Sequence, residues 1–289
     1  MKVLAHAKLN LNLSVMGKRE DGFHDISSVM TSISIADRVE VRLKRVPDVN
    51  VTMNNCPDIS LEENTAYTTA CKFFEYFNIV DLGAEIKIQK NIPLMAGLGG
   101  SSADSAGVLY CLASLCGMVP YSAKMFDLAS KCGSDTLAML LGGCVYMEGR
   151  GENVTKLPVG LPMVFVVAVG ERCHTKKVFD TYDSMEAPEG GFSATQLIKA
   201  LRANFLDVFQ EYDLNDLTEA CCEAYPAQKA FIQRCTDLVG QKPVMSGSGG
   251  SVFWPIASEY VAIRLVKKLR QNGITAFLCS PTQSGIVQL

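Results

Sequence analysis

A glycine- and serine-rich segment in the first half of the chain constrains the fold more than any other feature. It reads NIPLMAGLGGSSADSAG over residues 91–107. Alternating apolar residues before it predict a strand over 84–90, and the residues after it predict an apolar helix that ends near Cys116. A glycine loop between a strand and a helix brings backbone N–H groups and the positive end of the helix dipole together. The segment therefore predicts a phosphate site.

The loop matches none of the common phosphate-binding fingerprints. The pattern G-x-x-x-x-G-K-[ST] is absent, the dinucleotide pattern fails because its third glycine position is Ser102, and the protein-kinase triplets H-R-D and D-F-G do not occur. A second loop, MSGSGGS at 245–251, lies between two predicted strands. Each loop taken singly also fits an ordinary turn, hairpin or bulge.

Composition narrows the class of protein. The 289 residues carry 27 basic and 30 acidic side chains, a formal net charge of −3, so no broad basic surface for nucleic acid or an anionic membrane is expected. No apolar run has the length of a membrane span, and the first residues do not resemble a signal peptide. The 11 cysteines form no C-x-x-C pair, which favours buried thiols over a metal site. We therefore expect a cytoplasmic globular enzyme.

The pattern of predicted elements indicates an α+β fold. Polar and apolar residues alternate over 3–15, and a glycine- and proline-rich stretch at 149–162 is the best candidate boundary, which divides the chain into 1–155 and 156–289. Further strands are predicted at 29–35, 38–43, 49–53, 143–147, 163–169, 244–254 (around a loop) and 274–279, and helices at 64–77, 122–131, 175–183, 193–202, 215–223, 226–239 and 258–271.

Three polar side chains are candidates for chemistry. Lys8 and Asn10 share one face of the first predicted strand, which could face solvent or the wall of a cleft. Asp135, in the sequence CGSDT, precedes a short apolar run, where an aspartate is also a common N-cap. A surface lysine and a helix cap are the simpler interpretations of Lys8 and Asp135 when each is considered alone.

Taken together, these segments resemble the GHMP superfamily of small-molecule kinases. Three blocks carry the resemblance across nearly the whole chain: AKLNL at 7–11, PLMAGLGGSSADSAG at 93–107 and SGSGGSVF at 246–253. Within the superfamily the chain is most similar to the 4-diphosphocytidyl-2-C-methyl-D-erythritol kinases. That narrower similarity lies in DGFH at 21–24, EN at 63–64, GSD at 133–135, GRGE at 149–152, HTKKVF at 174–179 and NDL at 215–217.

The resemblance implies a fold and a reaction. The expected fold has an N-terminal ribosomal-protein-S5-like domain and a C-terminal ferredoxin-like domain, with the active site in the cleft between them. The expected reaction is ATP- and Mg²⁺-dependent phosphorylation of the 2-hydroxyl of a cytidine diphosphate ester of a branched polyol, in the non-mevalonate route to isoprenoid precursors. The expected partners are small molecules only, with neither nucleic acid nor membrane, and the expected state is a monomer or weak homodimer.

The resemblance also assigns roles to residues. Asp135 would accept the proton of the hydroxyl, and Lys8 would lower the pKa of that hydroxyl. Asn10 would bind the polyol, His24 would read the cytosine edge, and Phe23 and Phe179 would sandwich the base, with Gly247 also at the substrate. Ser102 is a possible magnesium ligand and Asn64 would lie near the adenosine. The residues expected to bind the nucleotide phosphates are Pro93, Leu94, Met95, Ala96, Gly97, Leu98, Gly99, Gly100, Ser101, Ser102 and Ala103.

Other functions stay open from the sequence. The loop AGLGGSSADSAG departs from the subfamily's usual AGLGGGSSDAAA, and no proline follows Asp135. Another GHMP kinase, acting on homoserine, mevalonate or a sugar alcohol, is therefore the main alternative. A binding protein without catalysis is a further alternative, although the presence of both Lys8 and Asp135 argues against it.

Overall fold

The architecture was analysed in a computed structural model, which describes residues 1–54, 59–185 and 191–289. The α+β class predicted from the sequence is confirmed. The strands are β1 (Lys2–Asn10), β2 (Ser14–Lys18), β3 (His24–Lys44), β4 (Val49–Asn54), β5 (Gly83–Gln89), β6 (Cys144–Gly149), β7 (Asn153–Lys156), β8 (Val164–Val169), β9 (Val244–Met245), β10 (Ser251–Ile256), β11 (Thr275–Cys279) and β12 (Ile286–Gln288). The helices are α1 (Thr65–Tyr76), α2 (Gly100–Leu115), α3 (Ala123–Cys132), α4 (Thr136–Leu141), α5 (Thr175–Asp183), α6 (Ala194–Arg202), α7 (Val208–Glu211), α8 (Thr218–Ala224), α9 (Pro226–Val239) and α10 (Glu259–Gln271).

The first sheet is organised around the long strand β3. One end of β3 pairs with β2 and β6, and the other end pairs with β1 and β5. The sequence predicted two strands here, 29–35 and 38–43, with a short break between them. The structure shows one strand, with a register shift opposite His6 and Ala7 of β1. Irregular pairing of this kind disrupts the hydrogen bonds locally without ending the strand, and Ile33 and Val39 on either side of it both face the core.

The amino-terminal strand is shorter than predicted. β1 ends at Asn10, and the chain then turns so that the N–H of Leu13 donates to the carbonyl of Leu214 at 2.8 Å before β2 begins.

The sequence analysis did not predict the strand nearest the end of the sequence, β12. β12 pairs antiparallel with β1 in the first sheet, and this pairing places residues from the predicted second unit beside the first strand. The boundary between residues 155 and 156 stays a prediction.

The second sheet has the order β11-β8-β10-β9 and separates two apolar layers. Phe165 and Phe253 point into the core shared with the first sheet, whereas Val166 and Trp254 pack with α8, α9 and α10 on the other face. Because both faces are covered, β8 consists of consecutive apolar residues, as the sequence predicted.

Backbone hydrogen bonds connect the first glycine-rich loop to β1 and to the second glycine-rich loop. The N–H of Lys8 donates to the carbonyl of Leu98 at 3.0 Å, and the N–H of Ser251 donates to the carbonyl of Ala96 at 2.9 Å. Gly97 lies between these bonds with φ +72°, and a Cβ there would overlap the carbonyl oxygen of Ser246. A glycine at this position therefore allows the first loop to lie against the second.

A buried ionic cluster anchors the start of α2. The ammonium of Lys90, at the end of β5, contacts the carboxylates of Asp37 on β3 and Asp104 on α2, the latter at 2.6 Å. The second oxygen of Asp37 accepts from the N–H groups of Asn91 and Ile92 at 2.6 and 2.8 Å. These bonds tie the residues on either side of the glycine loop to β3, which fixes the direction in which α2 begins.

Two carboxylates share one cation in this cluster, and burial shifts the pKa of one of them, Asp104. Burial raises the pKa of Asp104 to about 7, and the attraction of Lys90 only partly offsets this rise. Within the described residues, the Oδ1 atom of Asp104 accepts no hydrogen bond. In the folded protein the Asp104 carboxyl therefore keeps its proton up to about neutral pH. In the unfolded chain the same carboxyl loses its proton at a lower pH.

The first prediction concerns Asp104→Asn. The raised pKa means that the folded state binds more protons than the unfolded state between about pH 4 and 7, so this carboxyl makes the free energy of unfolding fall as pH rises. Between about pH 5 and pH 8, we expect the free energy of unfolding to fall by on the order of 2 kcal/mol more in the wild type than in the variant. Urea unfolding at both pH values measures the difference, and equal pH slopes for the two proteins would contradict it.

The second prediction compares two glycines of similar backbone conformation. Gly117 has φ +70° and no atom within 4 Å of an added Cβ, so Gly117→Ala measures only the cost of the left-handed backbone. Gly97→Ala must in addition separate the two loops. We expect it to lower the free energy of unfolding by roughly 1–3 kcal/mol more than the control. Equal losses in thermal or urea unfolding would show that the loops separate easily.

Candidate active site

One cavity of about 930 Å³ brings most of the predicted site residues together. Residues from β1, the first glycine loop, α5 and the turn before β10 contribute to its wall. The predicted site residues that line it are Lys8, Asn10, Phe23, His24, Asn64, Pro93, Leu94, Met95, Ala96, Gly97, Leu98, Gly99, Gly100, Ser101, Ser102, Asp135 and Phe179. Two predicted residues lie behind the wall. Ala103 is fully buried in the core, and Gly247 packs behind Lys8 and Asn10.

Lys8 and Asp135 form an ion pair at the cavity. The Nζ atom of Lys8 lies 3.4 Å from Oδ2 of Asp135, and the lysine side chain is 6% exposed. Asp135 occupies the N-cap position of α4, yet its side chain makes no capping hydrogen bond. Its carboxylate is therefore available to a ligand, and the simpler interpretation as a helix cap does not describe its contacts.

The side chain of Asn10 holds Lys8 in place. Its Oδ1 atom accepts a hydrogen bond from the ammonium of Lys8, and its Nδ2 atom donates to the hydroxyl of Ser28 at 2.8 Å. An asparagine amide has two N–H donors, so one stays available. Asn10 thus orients the lysine and retains one donor for a ligand.

The second glycine loop supports this pair from behind. The Nδ2 atom of Asn215 donates to the carbonyls of Met245 and Gly247, each at 2.8 Å. Gly247 has φ +58°, and a Cβ there would lie 3.1 Å from Nζ of Lys8. The loop therefore approaches the lysine closely because residue 247 has no side chain.

The amino terminus of α2 opens toward the cavity. Gly99 is its N-cap with φ +74°, and no side chain caps the helix there. The first N–H groups of a helix have no partner within the helix, so they can bind an anion. The hydroxyl groups of Ser101 and Ser102 line the same wall. These are the backbone donors and serines on which the prediction of a phosphate site rests, and the site itself stays a prediction.

Asn64 has two kinds of contact. Its Oδ1 atom accepts from the N–H groups of Ala66 and Tyr67 at 3.1 and 3.3 Å, so it caps α1. It also lines the cavity beside Met53 and Ile59. The resemblance placed Asn64 near the adenosine, and the structure shows it as the cap of α1 at the edge of the cavity.

Aromatic side chains line another part of the cavity. The imidazole of His24 stacks on Phe179, with ring centroids 4.7 Å apart and planes inclined by 23°. Phe23 stacks instead under the guanidinium of Arg150, 3.9 Å from its ring centroid. The two phenylalanines expected to sandwich a base therefore each have a protein partner in this structure.

Sequence reasoning did not assign roles to several residues of the site. Arg150 and Asn215 lie in two of the matched blocks, GRGE and NDL, so the blocks pointed to them without showing what they contact. Asp183, at the end of α5, accepts a hydrogen bond from His24 at 2.6 Å and had no motif to identify it. Long-range contacts of this kind depend on the fold.

The polar groups near the loop fit a magnesium ion that arrives with a nucleotide. Among residues 1–54, 59–185 and 191–289, no cluster of three His, Cys, Asp or Glu side chains could hold a metal alone. Ser102 and Asp135 nevertheless line the cavity. Magnesium needs only one or two protein ligands when phosphates and water supply the others.

In the same described ranges, every helix is too short or too polar to cross a membrane.

Comparisons with known proteins agree with this geometry. The family model described as the GHMP kinases N terminal domain matches residues 64–143. The 4-diphosphocytidyl-2-C-methyl-D-erythritol kinase of Persephonella marina is 34% identical over 257 residues, which cover 88% of this chain and 90% of that protein. The enzyme of the same name from Caldicellulosiruptor saccharolyticus is 30% identical and covers 93% of each chain.

Comparison with solved structures also shows similarity to GHMP kinases. A crystal structure of 4-(cytidine 5′-diphospho)-2C-methyl-D-erythritol kinase aligns with a TM-score of 0.73 and 30% identity, covering 97% of this chain and 99% of the other. Homoserine kinase from Cytophaga hutchinsonii, at 21% identity and a TM-score of 0.72, shares the fold, covering 99% and 96% of the two chains. This chain therefore belongs to the 4-diphosphocytidyl-2-C-methyl-D-erythritol kinase family of the GHMP kinases.

Proposed function

We propose that this chain transfers the γ-phosphoryl group of ATP to the 2-hydroxyl of 4-diphosphocytidyl-2-C-methyl-D-erythritol, in the non-mevalonate route to isoprenoid precursors. The observation that carries the proposal is the Lys8–Asp135 pair, which lines the same cavity as the open end of α2 and the aromatic residues near His24. Relatives that bear this enzyme's name, about 30% identical over most of the chain, support it.

The proposed chemistry begins at Asp135. Its carboxylate accepts the proton of the acceptor hydroxyl as the oxygen attacks the γ-phosphorus, and the bond from that phosphorus to the β–γ bridging oxygen breaks so that ADP leaves. The ammonium of Lys8, held by Asn10, stabilises the negative charge that develops on that oxygen. Because Lys8 is buried, its charge acts in a region with little water and interacts strongly with the reacting oxygen.

The proposed phosphate site is built mainly from backbone groups of the glycine loop and α2. The N–H groups at the start of α2 bind the phosphate oxygens, and the glycine loop allows their close approach. Ser102 is the candidate side-chain ligand for magnesium, which when bound neutralises phosphate charge. Asn64 and its apolar neighbours Met53 and Ile59 form the proposed adenosine side of the cavity.

The remaining parts of the proposal concern the binding of the substrate, the location of the protein and its oligomeric state. The donor left on Asn10 binds the polyol, and His24, Phe23 and Phe179 bind the cytosine, with aromatic stacking worth roughly 1–3 kcal/mol per base. We also propose that the protein acts in the cytoplasm as a monomer or weak homodimer, without nucleic acid. Light scattering during size-exclusion chromatography would measure its oligomeric state.

The third prediction tests the proposed base. We expect Asp135→Asn to lower kcat by about 10²–10⁴-fold because the amide cannot accept the hydroxyl proton, while KM for ATP changes little. The measurement is steady-state release of ADP with the cytidyl substrate. Asp127→Asn, which alters an exposed carboxylate beside Lys131, is the matched control and should retain wild-type kcat. An Asp135→Asn protein with wild-type kcat would contradict the assignment.

The fourth prediction tests the substrate class. A panel of acceptors, namely the methylerythritol substrate, homoserine, mevalonate and galactose, is assayed by ADP release. We expect turnover only with the cytidyl ester, and we expect CDP to raise the melting temperature because it binds the folded state alone. Turnover of another acceptor, without a thermal shift from CDP, would replace the proposal with a different GHMP kinase activity.

A further inference from the structure

We propose that Asp183 is a positioning residue that fixes the tautomer of His24 and so makes the site select cytosine over uracil. The inference rests on the proposed function, because it takes His24 as the residue that reads the base. It adds a group that does not itself touch the substrate. The argument starts from the contacts of the imidazole ring.

The ring of His24 is held by three residues of α5. Its Nε2 atom lies 2.6 Å from Oδ1 of Asp183, and its side chain is only 7% exposed. Phe179 stacks on one ring face, and Tyr182 approaches edge-on with centroids 6.4 Å apart. The orientation of the imidazole is therefore set by the end of this helix.

Asp183 is ionised and acts as an acceptor. Its other oxygen, Oδ2, pairs with Nζ of Lys18 at 2.6 Å. Burial opposes the negative charge, but the hydrogen bonds from Lys18 and His24 outweigh it and hold the pKa of Asp183 below its ordinary value. A carboxylate without a proton can only accept hydrogen bonds, so the hydrogen of this contact belongs to Nε2 of His24.

The protonated Nε2 determines the chemistry of the other ring nitrogen. In a neutral imidazole with its hydrogen on Nε2, the Nδ1 atom carries a lone pair and accepts hydrogen bonds. Within the described part of the chain, Nδ1 has no hydrogen-bond partner, and His24 lines the cavity. With a single hydrogen on the ring, the cavity therefore presents an acceptor at this position.

An acceptor at Nδ1 distinguishes the two pyrimidines. Cytosine has an amino group at its C4 position and donates a hydrogen bond there, whereas uracil has a carbonyl oxygen and can only accept. Uracil would place two acceptors against each other. If the hydrogen moved to Nδ1, the preference would reverse. Asp183 thus governs base selection without contacting the base.

The test measures binding of CDP and UDP by calorimetry to three proteins. We expect the wild type to bind CDP at least about tenfold more tightly than UDP, the effect of one well-placed hydrogen bond. In Asp183→Asn the amide can donate to Nε2 as well as accept from it, so we expect the CDP/UDP ratio to approach one. Asp213→Asn, which alters an exposed carboxylate paired with Lys242, is the matched control and should keep the wild-type ratio.

A second measurement reads the tautomer directly. Nitrogen-15 NMR of histidine-labelled wild type, with His24 assigned from a His24→Gln variant, should show Nδ1 as the unprotonated nitrogen. In Asp183→Asn both tautomers should be populated. A protonated Nδ1 in the wild type would overturn the inference, and this result requires neither substrate nor a folded Asp183 variant.

The outcomes separate this inference from the proposed function. If the wild type prefers CDP and Asp183→Asn keeps that ratio, or loses affinity for CDP and UDP equally, Asp183 has no role in base selection and the kinase proposal stands. If the wild type binds both nucleotides equally, the cytidine part of the proposed function fails, and the inference about Asp183 fails with it.

Discussion

The close approach of two backbone loops is the constraint on which the rest of the site depends. Loop 93–99 lies between β1 and β10 and bonds to both through Leu98 and Ala96. In this position the end of α2 faces the same cavity as Lys8. In the function proposed above, backbone donors at that helix end bind the phosphates in a cavity that Arg172 and Lys176 also line. A chain with net charge −3 can therefore hold an anionic ligand without a basic surface.

Local patterns in the sequence predicted the elements but not their pairing. The helix after Asn64 and the buried strand β8 follow from apolar spacing and capping, which act over a few residues. The strand β12 has only three residues, and what defines it as a strand is its pairing with β1, more than 270 residues away along the chain. The bulge opposite His6 and Ala7 looked like a break because alternation alone does not distinguish the two.

The same contrast between local patterns and long-range contacts applies to the candidate site. The residue types of Lys8 and Asp135 indicated chemistry, whereas their meeting at 3.4 Å depends on β1 and the turn before α4 coming together. From the sequence alone, a carboxylate at Asp104, near the start of the predicted helix, would be expected to interact favourably with the helix dipole. The fold instead buries it beside Lys90, where desolvation rather than the helix dipole dominates its pKa. Burial is a property of the assembled structure, so the sequence could not supply it.

The pairing of β12 with β1 has a consequence for synthesis of the protein. β1 carries the lysine of the site, and its outer edge is covered by a strand translated near the end of this sequence. While the chain grows on a ribosome, that edge keeps unpaired N–H and C=O groups, which can template association with other strands. The first sheet is complete only after Ile286 has emerged, so the nascent amino-terminal half must wait for the carboxyl-terminal residues.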